Sequence, residues 1–343
     1  MNRALSKVIL LTIATFSMLP QSASALDCVP ADIFLGSQAR VDNFDSDYGG
    51  CTRIVGELFI LDQGPDTLEN LDGLAGLTSI GGSLIITNNE FLTNIDGLSQ
   101  LTSVGGDLSI YLNAALANLN GLGGISGVGG DLDIQFNAAL ANLNGLSGIT
   151  SVGGYMLIFG NPALTNIDGL SQITSLNRSL YVGFNPSLTN IDGLRGLASV
   201  AEFLYIGLNS ALTNLDGLKA LTSVGGELAA FNNPALINVD GLAGLTSVGT
   251  NVYLGDNELL VTCTGLSRLL DSIDHDLPGP GPGVSGIPDV GGEVTFERNA
   301  PGCNSIKDAV LVPTPIPAMA QPGLVILVLL TLLGGFIGLR HEN

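Results

Sequence analysis

The stretch "LTNIDGLSQLTSVGGDLSI", Leu92 to Ile110, decides the fold. Its core Thr93-Asn94-Ile95-Asp96-Gly97 returns letter for letter as Thr165-Asn166-Ile167-Asp168-Gly169 and Thr189-Asn190-Ile191-Asp192-Gly193. Around it, Asn89, Asn113, Asn137, Asn161, Asn185, Asn209, Asn233 and Asn257 stand 24 residues apart. So do Asp72, Asp96, Asn120, Asn144, Asp168, Asp192, Asp216 and Asp240, each followed by Gly-Leu. Seven apolar sites recur per unit; after Asn113 they are Leu116, Leu119, Leu122, Ile125, Val128, Leu132 and Ile134. A fixed period of this length marks a stacked repeat.

Within a unit, "DLSI" or "DLDI" alternates with period two, so Leu108 and Ile110 face one way and their neighbours the other. The preceding Gly105-Gly106 pair is expected to take positive φ at a tight corner. No segment keeps a helical period long enough for a helix per repeat. Each coil is therefore expected to add one short strand plus turns, neighbouring coils pairing in parallel as an all-β solenoid. One coil cannot bury its apolar set alone, whereas a stack builds a continuous core. Inward pairs run from Leu58/Ile60 to Val252/Leu254, and a tenth strand is expected at Gly291 to Phe296, with Asn299 in the Asn place. Ten strands make a rod roughly 43 Å long.

A rod must close its two ends. Cys28 and Cys51 precede the first inward pair, and Cys263 and Cys303 bracket the last insertion. Bonded cysteines need Cα atoms within about 7 Å. Only Cys28–Cys51 and Cys263–Cys303 satisfy that on a rod. Four Cys raise metal binding as a rival, but no C-x-x-C occurs, and the first 25 residues read as a secretory signal, which implies an oxidising compartment.

The Cys51-Thr-Arg-Ile-Val-Gly-Glu-Leu-Phe-Ile opening and the "L-x-I…N…L-x-N-[IL]-[DN]-G-L" coils resemble the receptor L domain, a relative of leucine-rich repeats, over about residues 28 to 303. Strict leucine-rich repeats place a Leu two residues after the Asn, whereas Asn89 to Leu92 is three, as in the L-domain variant. The resemblance implies a right-handed, single-stranded parallel β-helix with disulfide-bonded caps and a short capping helix, for which Leu266 to Ile273 is the candidate. It also implies ligand or partner recognition at a cell surface, without catalysis.

Both ends carry targeting signals. Arg3 and Lys7, the apolar "VILLTIATFSML" and Ala23-Ser24-Ala25 make a secretory signal peptide. At the other end, "VPTPIPAMAQP" leads into the apolar Gly323 to Leu339, about 17 residues, then Arg340 and His341. That length sits at the short limit for a membrane span, with a cytoplasmic basic end. The order of short Pro motif, apolar helix and basic end resembles the IPTL-type sorting tails processed by exosortases in Gram-negative bacteria. The matching residues are Ile316-Pro317 and Gly323-Leu324; Ala318-Met319 replace the usual Thr-Leu, and Pro322 stands where an aromatic is common. A membrane-bound processing protease is the partner this implies. The expected layout is signal peptide 1–25, N-terminal cap 26–56, solenoid 57–267, C-terminal cap 268–310, linker and sorting motif 311–322, membrane segment 323–339 and basic end 340–343.

Composition narrows the function. The formal charge of −20 repels nucleic acid. Between Leu58 and Gly265 the basic side chains are Arg178, Arg195 and Lys219, and there is no His; His275 lies in a Pro/Gly-rich insertion. No Cys–His or Ser–His–Asp set is available inside the repeats. Acids are plentiful enough for a glycosidase-style carboxylate pair, but their regular row positions argue for a structural role, so no enzyme and no cofactor is expected. A Ca²⁺ between coils wants about 6–8 oxygens, and one carboxylate per coil supplies too few. The Asp/Asn row is therefore read as a turn in which the side chain caps the N–H two residues on and Gly takes positive φ. The Asn rows at Asn89–Asn257 and Asn94–Asn238 are both read as inward amides tying coil to coil. The Thr row from Thr78 to Thr246 is too interrupted for an ice-binding face.

The outward strand sites carry Tyr111, Tyr155, Phe159, Tyr181, Phe203, Tyr205, Phe231 and Tyr253, with Asp107, Asp131, Asp133 and Glu227 nearby. Aromatic residues favour strands in any case, but one face of them also suits a protein or glycan ligand. The expectation is an exported recognition or adhesion module using that face. The other candidate is a structural component of an extracellular matrix or polysaccharide layer.

Overall fold

The computed structural model describes residues 26–64, 67–266, 268–269, 290–292, 294–300 and 303. The expected signal peptide 1–25, His275, the residues of the expected sorting motif (Ile316, Pro317, Pro322, Gly323), the expected span 323–339 and the basic end 340–343 lie outside the described residues. Among the described residues, no helix is long and apolar enough to cross a membrane.

Parallel pairing of successive coils builds an 11-stranded sheet. Its members run Ile33–Leu35, Leu58–Ile60, Leu84–Thr87, Leu108–Tyr111, Leu132–Gln135, Met156–Phe159, Leu180–Gly183, Leu204–Gly207, Leu228–Phe231, Val252–Gly255 and Val294–Glu297. Register follows the 24-residue period, so Leu108 pairs with Leu132 and Ile110 with Ile134. The predicted tenth strand is present as Val294–Glu297. The first, Ile33–Leu35, escaped the repeat pattern because it precedes the first full unit; eleven strands at about 4.8 Å span roughly 48 Å. The N-terminal segment adds two short helices, Gln38–Asp42 and Phe44–Asp47, that bury Val41 and Phe44 over the end of the stack.

The single-strand coil is corrected. Each unit carries a second, two-residue strand, such as Ser103–Val104, and these form a five-stranded and a four-stranded ladder. Val104 or its equivalent points inward while the Ser before it points out. Each unit also has a three-residue 3₁₀ turn, such as Asp96–Leu98. A three-residue turn is too short to leave a helical period in sequence, which is why it was invisible.

The glycines serve a different purpose from the expected one. Gly97, Gly105 and Gly106 do not have positive φ. They are needed because coils approach closely: a Cβ on Gly97 would lie 1.7 Å from the Leu71 carbonyl oxygen, and one on Gly105 2.2 Å from that of Gly81. The short-strand ladder divides between Ser151–Val152 and Ser175–Leu176, the latter followed by Asn177-Arg178, but it continues through the coil in which Ala201-Glu202 replaces the Gly pair. Positive φ falls instead on the residue before each buried Asn: Asn88, Leu112, Phe136, Gly160, Phe184, Leu208, Asn232 and Asp256.

One side-chain ladder runs the length of the core. Asn113 Nδ2 donates to Ile86 O at 2.9 Å and its N–H to Asn137 Oδ1 at 3.1 Å, and the pattern repeats from Asn89 to Asn299. From Asn89 to Asn257 these amides are 0% exposed, so each would be an orphaned polar group without its neighbour. The second Asn row is not inward. Asn94 Oδ1 accepts from Asp96 N–H at 3.2 Å and so caps its own turn, leaving the Asp outside. The outer Thr row bonds coil to coil as well, Thr102 Oγ1 donating to Thr78 O at 3.0 Å. The expected disulfides Cys28–Cys51 and Cys263–Cys303 are both formed, with Cα atoms 5.1 and 5.2 Å apart.

Candidate functional site

The outward surface of the 11-stranded sheet is built in rows, because in-register coils place equivalent residues side by side. One row holds the residue before the first inward position: Asp107, Asp131, Tyr155, Ser179, Phe203 and Glu227. The next lies between the two inward residues: Ser109, Asp133, Leu157, Tyr181, Tyr205, Ala229 and Tyr253. A third follows the inward pair: Tyr111, Gln135, Phe159, Gly183, Gly207, Phe231 and Gly255.

All eight predicted aromatics fall on this surface, seven half-buried and Phe203 39% exposed. The fold brings most of them into contact. Tyr181 and Tyr205 rings lie 5.2 Å apart, Phe203 stacks on Tyr205 at 5.8 Å, and Phe231 meets Tyr253 at 6.4 Å. Ring atoms of Phe231 cover Gly207, where a Cβ would meet them at 2.6 Å. Glycine in one coil thus makes room for an aromatic from the next. Tyr111 and Tyr155 join no ring pair among the described residues.

Phe136 and Phe184 were missed. They stand on the positive-φ row yet complete a track, Phe136–Phe159 at 5.7 Å edge-on and Phe159–Phe184 at 5.7 Å stacked. With Leu112 47% and Phe184 53% exposed, this row is the more open edge of the face. A signal existed: both phenylalanines directly precede a ladder Asn, at positions 48 residues apart.

The acidic end of the face has its own electrostatics. Asp107 Oδ1 accepts from Asp131 N–H and Asp131 Oδ1 from Tyr155 N–H, each at 2.9 Å. Gly130 and Gly154 admit these carboxylates, since a Cβ there would sit 2.0 and 1.8 Å from the oxygens. Burial pushes the Asp133 carboxyl up to about 7; the Gln135 side chain pulls the other way, and Asp131 and Asp107 add to the rise. Burial likewise raises Asp131. The Tyr155 and Tyr205 phenols are raised first by burial, then by Asp133 and by Glu227 respectively. Among the described residues, no group of three His, Cys, Asp or Glu side chains is placed to hold a metal. Two shallow open grooves lie elsewhere, along the short-strand ladders around Arg53–Gly81 and Ser199–Gly225.

No protein-family model matches the chain, and no curated protein does either.

Proposed function

We propose that this protein is an exported recognition or adhesion module of a bacterial surface, an L-domain-like right-handed solenoid that contacts a protein or glycan through its outward sheet face. The observation carrying this reading is the pair of aromatic tracks, Phe136–Phe159–Phe184 and Phe203–Tyr205–Tyr181, crossing consecutive coils on one surface. Rings held by a rigid ladder lose little conformational freedom when a ligand stacks on them, and tyrosine adds a polar tip. The buried Asn ladder and the disulfides supply the rigidity, and the disulfides also suit an oxidising compartment. The role proposed is non-catalytic. Anchoring or sorting through the C-terminal apolar segment, by an IPTL-type mechanism, completes the reading.

Tyr181→Ala/Tyr205→Ala should abolish capture of the native ligand from a glycan array or a surface-protein library while leaving the melting temperature within a few degrees. Unchanged capture would sink the reading. The scaffold alternative draws on the exposed Leu112 and Phe184, which can pack rod against rod. Concentration-dependent assembly with no captured ligand would favour it. Cell fractionation with mass spectrometry of the mature C-terminus tests export and processing together.

A further inference from the structure

One spot on the face has buried acceptors left over. Beyond the contact of the Gln135 amide with the Asp133 carboxyl, Asp133 Oδ1 and Gln135 Oε1 are closed to solvent and without a hydrogen-bond partner, and Gln135 is only 4% exposed. The two residues stand two apart on one strand, so both side chains leave from the outward surface. Gln135 lies in register between Tyr111 and Phe159, and Asp133 between Ser109 and Leu157. An unpaired, desolvated acceptor is unfavourable, and a well-packed solenoid has no structural need for two side by side.

We propose that the Asp133–Gln135 pair, flanked by Tyr111 and Phe159, receives the guanidinium of an arginine from a basic protein partner. The inference rests on the recognition role proposed for this face and selects its ligand class. Once Asp133 is ionised, both orphaned atoms are acceptors, so the ligand must bring at least two donors. A guanidinium presents N–H groups as a planar fork, which suits a carboxylate and an amide oxygen placed together. Aromatic rings in the flanking coils provide faces for the same planar group to stack on. Charge points the same way: Asp107 and Asp131 lie beside the pair, and the chain carries −20 overall. The cation whose field reaches Asp131, Arg178, is already paired with Glu202 at 3.5 Å. Both oxygens are closed in the unbound face, so docking must part the side chains over them.

The charged groups around Asp133 are Asp131 and Asp107 in the preceding row, and the neutral phenols of Tyr155 in the next coil and Tyr111 in the previous one stand nearby. A protonated Asp133 has to release its proton when the guanidinium arrives. Affinity should therefore strengthen as pH rises through the Asp133 titration.

The test is calorimetric titration of the full chain with hexa-arginine, hexa-lysine and a fully deacetylated chitosan hexamer at physiological salt. Asp133→Asn should weaken hexa-arginine binding by about tenfold or more, the scale of one charge-assisted contact. Asp192→Asn removes the same charge on an exposed 3₁₀ turn and should leave affinity within about twofold. The wild-type affinity should rise between about pH 6 and about pH 8, and the rise should vanish in Asp133→Asn. Equal losses in the two variants, or none in Asp133→Asn, overturn the proposal, since binding would then follow net charge alone. Tighter binding of the chitosan hexamer, lost in Asp133→Asn, overturns the arginine assignment in favour of an amino sugar. If Tyr181→Ala/Tyr205→Ala abolishes native capture while Asp133→Asn leaves hexa-arginine unaffected, this inference fails and the recognition face stands.

Discussion

Asp133 gives the clearest pH signature. Its carboxyl titrates at about 7 in the fold against 3.8 for the free group, chiefly through burial. A raised carboxyl pKa means that folding favours the protonated form. The stability linked to this group is whole below about pH 4 and declines as pH rises through about 7. Asp133→Asn should therefore melt higher than the wild type at about pH 8, by several degrees at about 2–4 °C per kcal/mol, and show no difference near pH 4. Thermal scans at both pH values check this, and an equal shift at both would refute it. Asn137 makes the opposite case. It is fully buried, donates to Ile110 O at 2.9 Å and accepts from the Asn113 N–H at 3.1 Å. Asn137→Ala leaves that N–H and that carbonyl unpaired and should destabilise by about 2–4 kcal/mol in a denaturant titration. The Asn row announced itself by spacing alone. The state of Asp133 did not, because it depends on what the neighbouring coils place over the carboxyl.

Within the coil, the turn "NIDGL" divides its labour. Asn94 caps, Asp96 opens a 3₁₀ turn toward solvent, and Gly97 lets that turn sit against Leu71. Gly97→Ala forces its Cβ into the backbone of the preceding coil, so a loss of about 3 kcal/mol or more is expected, whereas Asp96→Asn should be near neutral. Asn already fills the Asp96 place at Asn120 and Asn144. The reverse holds at Leu112, which has φ 59° and is 47% exposed. A left-handed backbone strains a leucine, while asparagine tolerates it, as at Asn88 and Asn232. Leu112→Asn should therefore stabilise by up to about 1 kcal/mol, measured by chemical denaturation. The same repeated Gly was legible as a turn, but its reason was not. The choice between positive φ and close approach is made by the coil stacked against it.

As a whole, the molecule is a one-dimensional stack in which each coil contacts its two neighbours. The seven apolar residues from Leu116 to Ile134 are all at most 3% exposed, each stabilising by about 1.5–3 kcal/mol through burial. Because that set is complete only when coils are stacked, the ends are the weak points. Cys28→Ser/Cys51→Ser should cost about 2–5 kcal/mol, with hydrogen exchange accelerating first in Ile33–Leu35 and Leu58–Ile60. Uniform acceleration along the rod would contradict end-first opening.

The 24-residue period by itself determined the parallel ladder, its register, the inward apolar set and the buried Asn row. Each of these repeats an identical local instruction, and stacking identical units has one way to bury them. Spacing along a rod also determined which cysteines pair. Only tertiary structure decided the second strand ladder, the close-approach role of the glycines, the positive-φ row and the Phe136–Phe159–Phe184 track. Those features arise between coils, from how near one backbone comes to the next, and a single coil read along the chain does not contain that distance.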